Sequence, residues 1–339
     1  MDYTVLFFGF LFGFAMQYAN LNRFNTISGM ATLEDYTMAK TMAFAIGLGA
    51  ILIAIDVNLG LAVYHVKPLV PVANIAGGII FGIGMAILGY CPGTLPISLG
   101  QGALDALVGI VGGLLGGYVF TLQYDQLEPL FGTNYGAVSV YSLTDGNPLS
   151  FGLIVLLFGL SLMYGAFWLH KKEGGTNKKW LATGIGFAII NGIMILDASF
   201  GRPIGASTAY PYAADVIAGE VNSTYFKMIA GPGSWELVFL VGAFLAGLLP
   251  ALYRKEYRLS FVQERWDYYF GESFKKRFLW AFVGGFLLIY GARIAGGCAS
   301  GHILSGVMQL GIGSLLFALC TFVAFFATGK YFYKSSWGK

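Results

Sequence analysis

Charge is what this sequence has least of. Of its 339 residues only 11% are Asp, Glu, Lys or Arg, against roughly 25% in a soluble domain. Water is therefore not the main solvent of the folded chain. Three cysteines, with no framework spacing, exclude a disulfide scaffold. The three histidines form no haem-type pair, there is no CxxC, and no dinucleotide fingerprint follows a strand. A redox enzyme, or any cofactor, is accordingly not expected. The net charge of +3 implies no nucleic-acid partner, because the basic residues are gathered into a few loops.

Hydrophobic residues make up 57% of the chain. A bilayer-spanning helix needs about 20 mostly apolar residues, and such runs recur from end to end. The expected class is an all-α integral membrane protein with about nine transmembrane helices plus short re-entrant helices. The expected spans are Tyr3 to Ala19, Thr41 to Val63, Val70 to Leu88, Gly102 to Leu122, Leu149 to Leu169, Trp180 to Leu196, Trp235 to Leu252, Phe278 to Ala295 and Ile303 to Phe326. The first run has neither a basic leader nor a small-residue cleavage site, so it reads as a retained helix and not a signal peptide.

Orientation follows from the loops. Lys171, Lys172, Lys178 and Lys179 form one basic connection, and Arg254, Lys255, Arg258, Arg265, Lys275, Lys276 and Arg277 another. The connections around Asp125, Glu128 and Asp145, and around Asp215, Glu220 and Glu236, are poor in basic residues. The positive-inside rule puts the basic loops in the cytoplasm. A bacterial inner membrane would then carry the amino terminus outside and the carboxyl terminus, with Lys330, Lys334 and Lys339, inside.

The chain repeats itself. Gly77-Gly78, Gly84 and Gly89-Tyr90-Cys91 have the spacing of Gly284-Gly285, Gly291 and Gly296-Gly297-Cys298. Residues 1–125 form a first repeat of four helices, 126–178 a connecting loop and helix, and 179–339 a second repeat. An odd number of crossings separates corresponding helices, so the two copies are expected to lie in opposite orientations, the inverted-repeat plan of many transporters.

Each copy carries a break. In Gly89-Tyr90-Cys91-Pro92-Gly93-Thr94, proline removes a backbone donor and the glycines favour irregular backbone. Gly296-Gly297-Cys298-Ala299-Ser300-Gly301-His302 interrupts the second copy in the same place. Irregular backbone at membrane depth is tolerated only where protein buries it or where it lines a cavity. The helix starts that follow offer free N–H groups and positive partial charge to an anion. Each thiol adds a soft, polarizable group.

These motifs, with Leu304-Ser305-Gly306-Val307-Met308-Gln309-Leu310 and Ser199-Phe200-Gly201-Arg202-Pro203-Ile204-Gly205, resemble the YeeE/YedE family of sulfur transport proteins, the thiosulfate permeases. The resemblance covers nearly the whole chain. It implies a nine-helix, hourglass-like protein whose two funnels meet at a cysteine-lined centre. It further implies uptake of thiosulfate passed between cysteines, often delivered to a TusA-like cytoplasmic sulfurtransferase. One departure is visible: Asn22-Arg23-Phe24-Asn25 puts Arg23 where such proteins usually carry a further cysteine. A related sulfur or selenium species therefore stays open as substrate.

The candidate pathway residues are Cys91, Cys298, Gly89, Pro92, Gly93, Thr94, Gly297, Ser300, His302, Gln101, Gln309, Arg23, Arg202 and Arg293. Cys91 and Cys298 read as pathway-lining thiols, against small buried hydrophobes; Cys320, inside an apolar helix, reads as structural. Arg293 either lines the pathway or is ion-paired or snorkelling. Arg202 either draws an anion in or meets headgroups. His302, Gln309 and Gln101 could donate to an oxyanion, or cap and tie helices. Asp105 and Asp197 are open between pairing with these cations and carrying protons. Against the permease stands a second class: a membrane subunit that only docks a sulfur carrier on its basic loop, Arg254 to Arg277.

Overall fold

A computed structural model describes residues 2–144 and 147–334. Asp145 and Lys339, counted among the loop charges above, lie outside the described residues. The described residues are mostly helical: α1 (Asp2–Tyr18), the short α2 (Phe24–Ala31), α3 (Thr37–Asn58), α4 (Pro71–Leu88), the short α5 (Thr94–Gly100) and α6 (Leu104–Leu127) come first. A single turn, α7 (Val140–Leu143), precedes α8 (Pro148–Lys172). Then follow α9 (Lys179–Ile195), α10 (Ala209–Ala218), α11 (Thr224–Tyr253), α12 (Glu264–Phe270) and α13 (Phe274–Ile294). A π-helical segment (Ala299–Gly306) leads into α14 (Ile312–Phe332).

Local chemistry sets several of these starts. Pro71 and Pro148 sit in the first turns of their helices, where a missing N–H costs nothing. Asn147, Ser223 and Ser273 accept from the free N–H groups of α8, α11 and α13.

Among the described residues seven helices, α3, α4, α6, α8, α11, α13 and α14, are long and apolar enough to cross a membrane, and the chain is a multi-pass membrane protein. The apolar α1 and α9 have 17 residues each, about 25 Å at 1.5 Å per residue, a little short of a roughly 30 Å hydrocarbon core. Two sequence expectations need correction. The last span does not begin at Ile303: Ile303 and Leu304 lie in the buried π-helical segment, and α14 starts at Ile312. Apolarity alone cannot separate a buried break from a spanning helix. Nor does Arg277 belong to a solvated loop, since it is fully buried in the first turn of α13.

Close helix contacts are reciprocal between the glycine-rich helices. A Cβ on Gly77 would strike the Gly291 carbonyl at 2.7 Å, and one on Gly84 the Gly284 carbonyl at 2.9 Å. Gly78 lies against the Phe317 backbone on α14, and Gly285 against the Gly109 backbone on α6. Around this centre α4 packs on α13 and α14, α13 also packs on α6, α1 packs on α11, and α3 packs on α8 and α9.

Candidate functional site

The two breaks open alike. Gly89 and Gly296 both have left-handed backbone, with φ of 72° and 71°, a conformation costly for any residue with a Cβ. At the first break, the α4 carbonyls that lose their helical partners are taken by Arg277. Its guanidinium donates to Leu88 O at 2.7 Å and Ile87 O at 3.4 Å. The same guanidinium pairs with Asp105 at 2.7 Å, and neither side chain is exposed to solvent. The Tyr90 hydroxyl donates to Asp105, and Phe24 and Trp266 stack on the guanidinium. Asp105 is thus paired, but with Arg277 and not with Arg202 or Arg293.

Beyond Gly89 the chain turns. Thr94 Oγ1 accepts from the Cys91 N–H at 2.8 Å and donates back to Cys91 O, fixing the turn in which Pro92 and Gly93 sit. Pro92 O accepts the Tyr210 hydroxyl at 2.8 Å. At the second break the Lys67 ammonium donates to Gly296 O at 3.0 Å. His302 has both ring nitrogens engaged: Nε2 with Ala295 O at 2.9 Å and Nδ1 with Ser314 Oγ at 2.9 Å. It ties the end of α13 to the start of α14. Gln309 is likewise engaged, accepting from the His65 N–H and donating to Ser305 O. Gly297 leaves room for the His302 ring, which a Cβ would meet at 2.7 Å.

Cys91 and Cys298 are both buried, at 8% and 1% exposure, and lie within electrostatic reach of each other. Tyr210 is within reach of both. Ser300 Oγ lies 3.2 Å from Cys298 Sγ, and Ser300 and Cys91 line one cavity of about 490 Å³. That cavity is otherwise apolar and rich in thioethers: Met16, Met30, Met38, Met42 and Met85 border it.

Beside Cys298 sits a group of cations. Arg293 is buried, and its guanidinium donates to Thr208 Oγ1 at 3.1 Å, Tyr225 OH at 3.4 Å and the Ser207 hydroxyl. Among the described residues no carboxylate lies within ion-pair distance of it, and its Nε is without a partner. Arg202 pairs with buried Glu236 at 3.2 Å and stacks on Trp235, while Glu236 also accepts from the Thr208 N–H. Lys67 interacts electrostatically with Glu236, Arg293, Arg202 and Cys298; burial, and then the two guanidiniums, hold its pKa below the usual lysine value against the pull of Glu236. Three cations thus face one carboxylate. The net excess of positive charge at a site with an unfilled guanidinium N–H is suited to an anion with more than one negative charge.

The remaining candidates lie elsewhere. Arg23 is exposed and lines a separate pocket of about 120 Å³ with Gln101, Lys179, Arg254 and Glu256. Gln101 accepts there from the Asn22 amide at 2.7 Å. Cys320 lies on α14 against Gly78 of α4. Sequence reasoning missed Lys67, Tyr210 and the pairing role of Glu236. An acidic residue inside the apolar run of α11 was the available signal for Glu236; Lys67 and Tyr210 carried none, since their partners are more than a hundred residues away.

The Sulphur transport family model matches residues 23–327. A protein named thiosulfate transporter TsuA from Spirochaeta thermophila is 24% identical over 331 residues, covering 93% of this chain and 94% of that protein. A protein of the same name from Escherichia coli is 21% identical over 314 residues, covering 87% and 84%.

Proposed function

Because the chain belongs to the Sulphur transport family, a family of transport proteins and not of enzymes, we propose that it is a permease for thiosulfate or a closely related sulfur oxyanion. The observation that carries this reading is Arg293: a buried guanidinium bonded only to hydroxyls, next to Cys298 and flanked by Lys67 and Arg202. A buried charge without a partner is costly, and a dianion would supply what is missing. Thiosulfate has oxygens for those donors and a terminal sulfur for the thiols of Cys298 and Cys91. The apolar cavity beyond, edged by thioethers, cannot hold bare negative charge cheaply. The anion therefore crosses from thiol to thiol at a narrow point and does not dwell in the cavity.

In this reading all nine long or apolar helices cross the bilayer, α1 and α9 among them, in two inverted repeats that give an hourglass-like protein. The reciprocal contacts Gly77 with Gly291 and Gly84 with Gly284 support a pseudo-two-fold axis, because a self-complementary interface pairs each position with its partner's counterpart. The protein lies in a bacterial inner membrane, amino terminus outside, so that the second break and its cations face outward and Arg23 faces the cytoplasm. There Arg23 and Gln101 would meet the anion on exit, and a TusA-like sulfurtransferase is the proposed acceptor. A selenium analogue or other sulfur species would use the same contacts.

Inward movement of two negative charges against an interior-negative 100 mV costs roughly 4.6 kcal/mol, so accumulation needs a coupled cation. Purified protein in vesicles with no partner tests the reading. Time-dependent entry of labelled thiosulfate, competed by unlabelled thiosulfate, is expected. Vesicles that take up nothing, while the same protein binds a cytoplasmic sulfur carrier, would establish the docking role instead.

A further inference from the structure

Three acidic side chains are buried among the described residues: Asp105, Glu236 and Asp215. Two have a guanidinium. Asp105 is paired with Arg277 and Glu236 with Arg202. Asp215, on α10 and without solvent exposure, has none; Thr121 of α6 donates to its Oδ2 at 2.8 Å, and its Oδ1 has no hydrogen-bond partner.

An ionised carboxylate in that position is poorly compensated, and protonation relieves it. Burial pushes Asp215 up to about 6, with the Thr121 hydrogen bond opposing and the Glu220 charge adding to the rise. The elements packed on α10 are α6 and α11. From α6 comes the Thr121 hydroxyl, from α11 the Tyr225 phenol, and from the turn just after α10 Glu220. Tyr225 is the link to the anion site, because it interacts with Asp215 on one side and bonds Arg293 on the other.

We infer that Asp215 is the proton-binding residue of a proton-coupled uptake, loading a proton on the side where the anion meets Arg293 and releasing it when the anion has left. This rests on the permease reading above and adds an ion that offsets half of the electrical cost. The coupling is electrostatic and reciprocal. Neutralising Asp215 removes a negative charge from behind Tyr225, which leaves the Arg293 site more positive and favours the dianion. A bound dianion in turn favours the protonated acid. One proton enters with each anion, so that half of its charge is compensated.

The test uses the whole protein in vesicles loaded with a pH-sensitive dye, the membrane potential clamped with potassium and an ionophore. In wild type, adding thiosulfate outside should acidify the lumen. Its initial uptake rate should rise at least about tenfold as the outer pH falls from 8 to 6, as for a single group titrating near 6. Asp215→Asn should keep labelled-for-unlabelled exchange but lose both the lumen acidification and the pH dependence. Thr121→Val removes a donor to the ionised form, so its rate midpoint should move to higher pH by about one unit; a purely structural role for Asp215 would not move it. If wild type exchanges thiosulfate with no acidification and a flat pH profile, or if Asp215→Asn retains both, the proton role is overturned while the permease stands. If wild type shows no exchange at all, the permease reading falls and this inference with it.

Discussion

Replacing Asp105 by alanine strands Arg277. The guanidinium is wholly buried and holds Asp105 through Nε at 2.9 Å and Nη2 at 2.7 Å, while also closing the Leu88 and Ile87 carbonyls. Removing one member of a buried pair leaves an uncompensated charge, at a cost of about 3–5 kcal/mol. Tyr90 and Gln263, which also donate to Asp105, lose an acceptor as well. At a few degrees per kcal/mol the melting temperature in detergent should fall by roughly 10 °C, measured by intrinsic fluorescence at fixed protein and detergent concentration. The double variant Asp105→Leu with Arg277→Met removes both charges and should recover part of the loss. Recovery stays incomplete, because the two carbonyls at the end of α4 still lack donors. An Asp105→Ala protein melting within 2 °C of wild type would show that the buried Arg277–Asp105 pair does not stabilise the fold. A double variant less stable than the single would show that the stranded charge is not the cause of the loss.

Three further outcomes follow from the same structure. Gly89→Ala should fail to yield folded protein, because its Cβ would lie 2.2 Å from the Phe24 ring in left-handed backbone, whereas Gly296→Ala, with nothing within 4 Å, should cost only about 1–2 kcal/mol; comparative expression and thermal melts check this. Lys67→Ala should raise the KM for thiosulfate several-fold with little change in kcat, and should make uptake less sensitive to ionic strength, read from initial rates at two salt concentrations. In wild type, KM should begin to rise on the alkaline side at a lower pH than an ordinary lysine would allow, because the Lys67 pKa is held down; Lys67→Arg should abolish that rise, as a pH series on the two proteins would show.

Much of this architecture is legible in the sequence, and the limits have physical causes. The paired breaks could be read because glycine and proline act locally: the left-handed residues fall at Gly89 and Gly296, the first residue of each quoted motif. The long apolar runs were equally plain. His302 was not readable, since its two partners depend on how the π-helical segment folds back on Ala295 and Ser314. Arg277 looked like one more charge in a basic loop, and only tertiary packing buries it beneath Phe24 and Trp266. Arg23, singled out in the sequence, borders a different pocket from Cys91. The charged group around Arg293 is assembled from four separate stretches: Lys67 from the α3–α4 connection, Arg202 from the α9–α10 connection, Glu236 from α11 and Arg293 from α13. No spacing rule could have joined them.

In the proposed permease the thiols of Cys91 and Cys298 carry the anion between them. This is tested most directly by the initial rate of labelled thiosulfate entry into vesicles holding equal amounts of folded wild type, Cys91→Ala, Cys298→Ala and Cys320→Ala. The predicted result is a loss of at least about tenfold in each of the first two variants, with Cys320→Ala unchanged. Wild-type rates in Cys91→Ala and Cys298→Ala would contradict it.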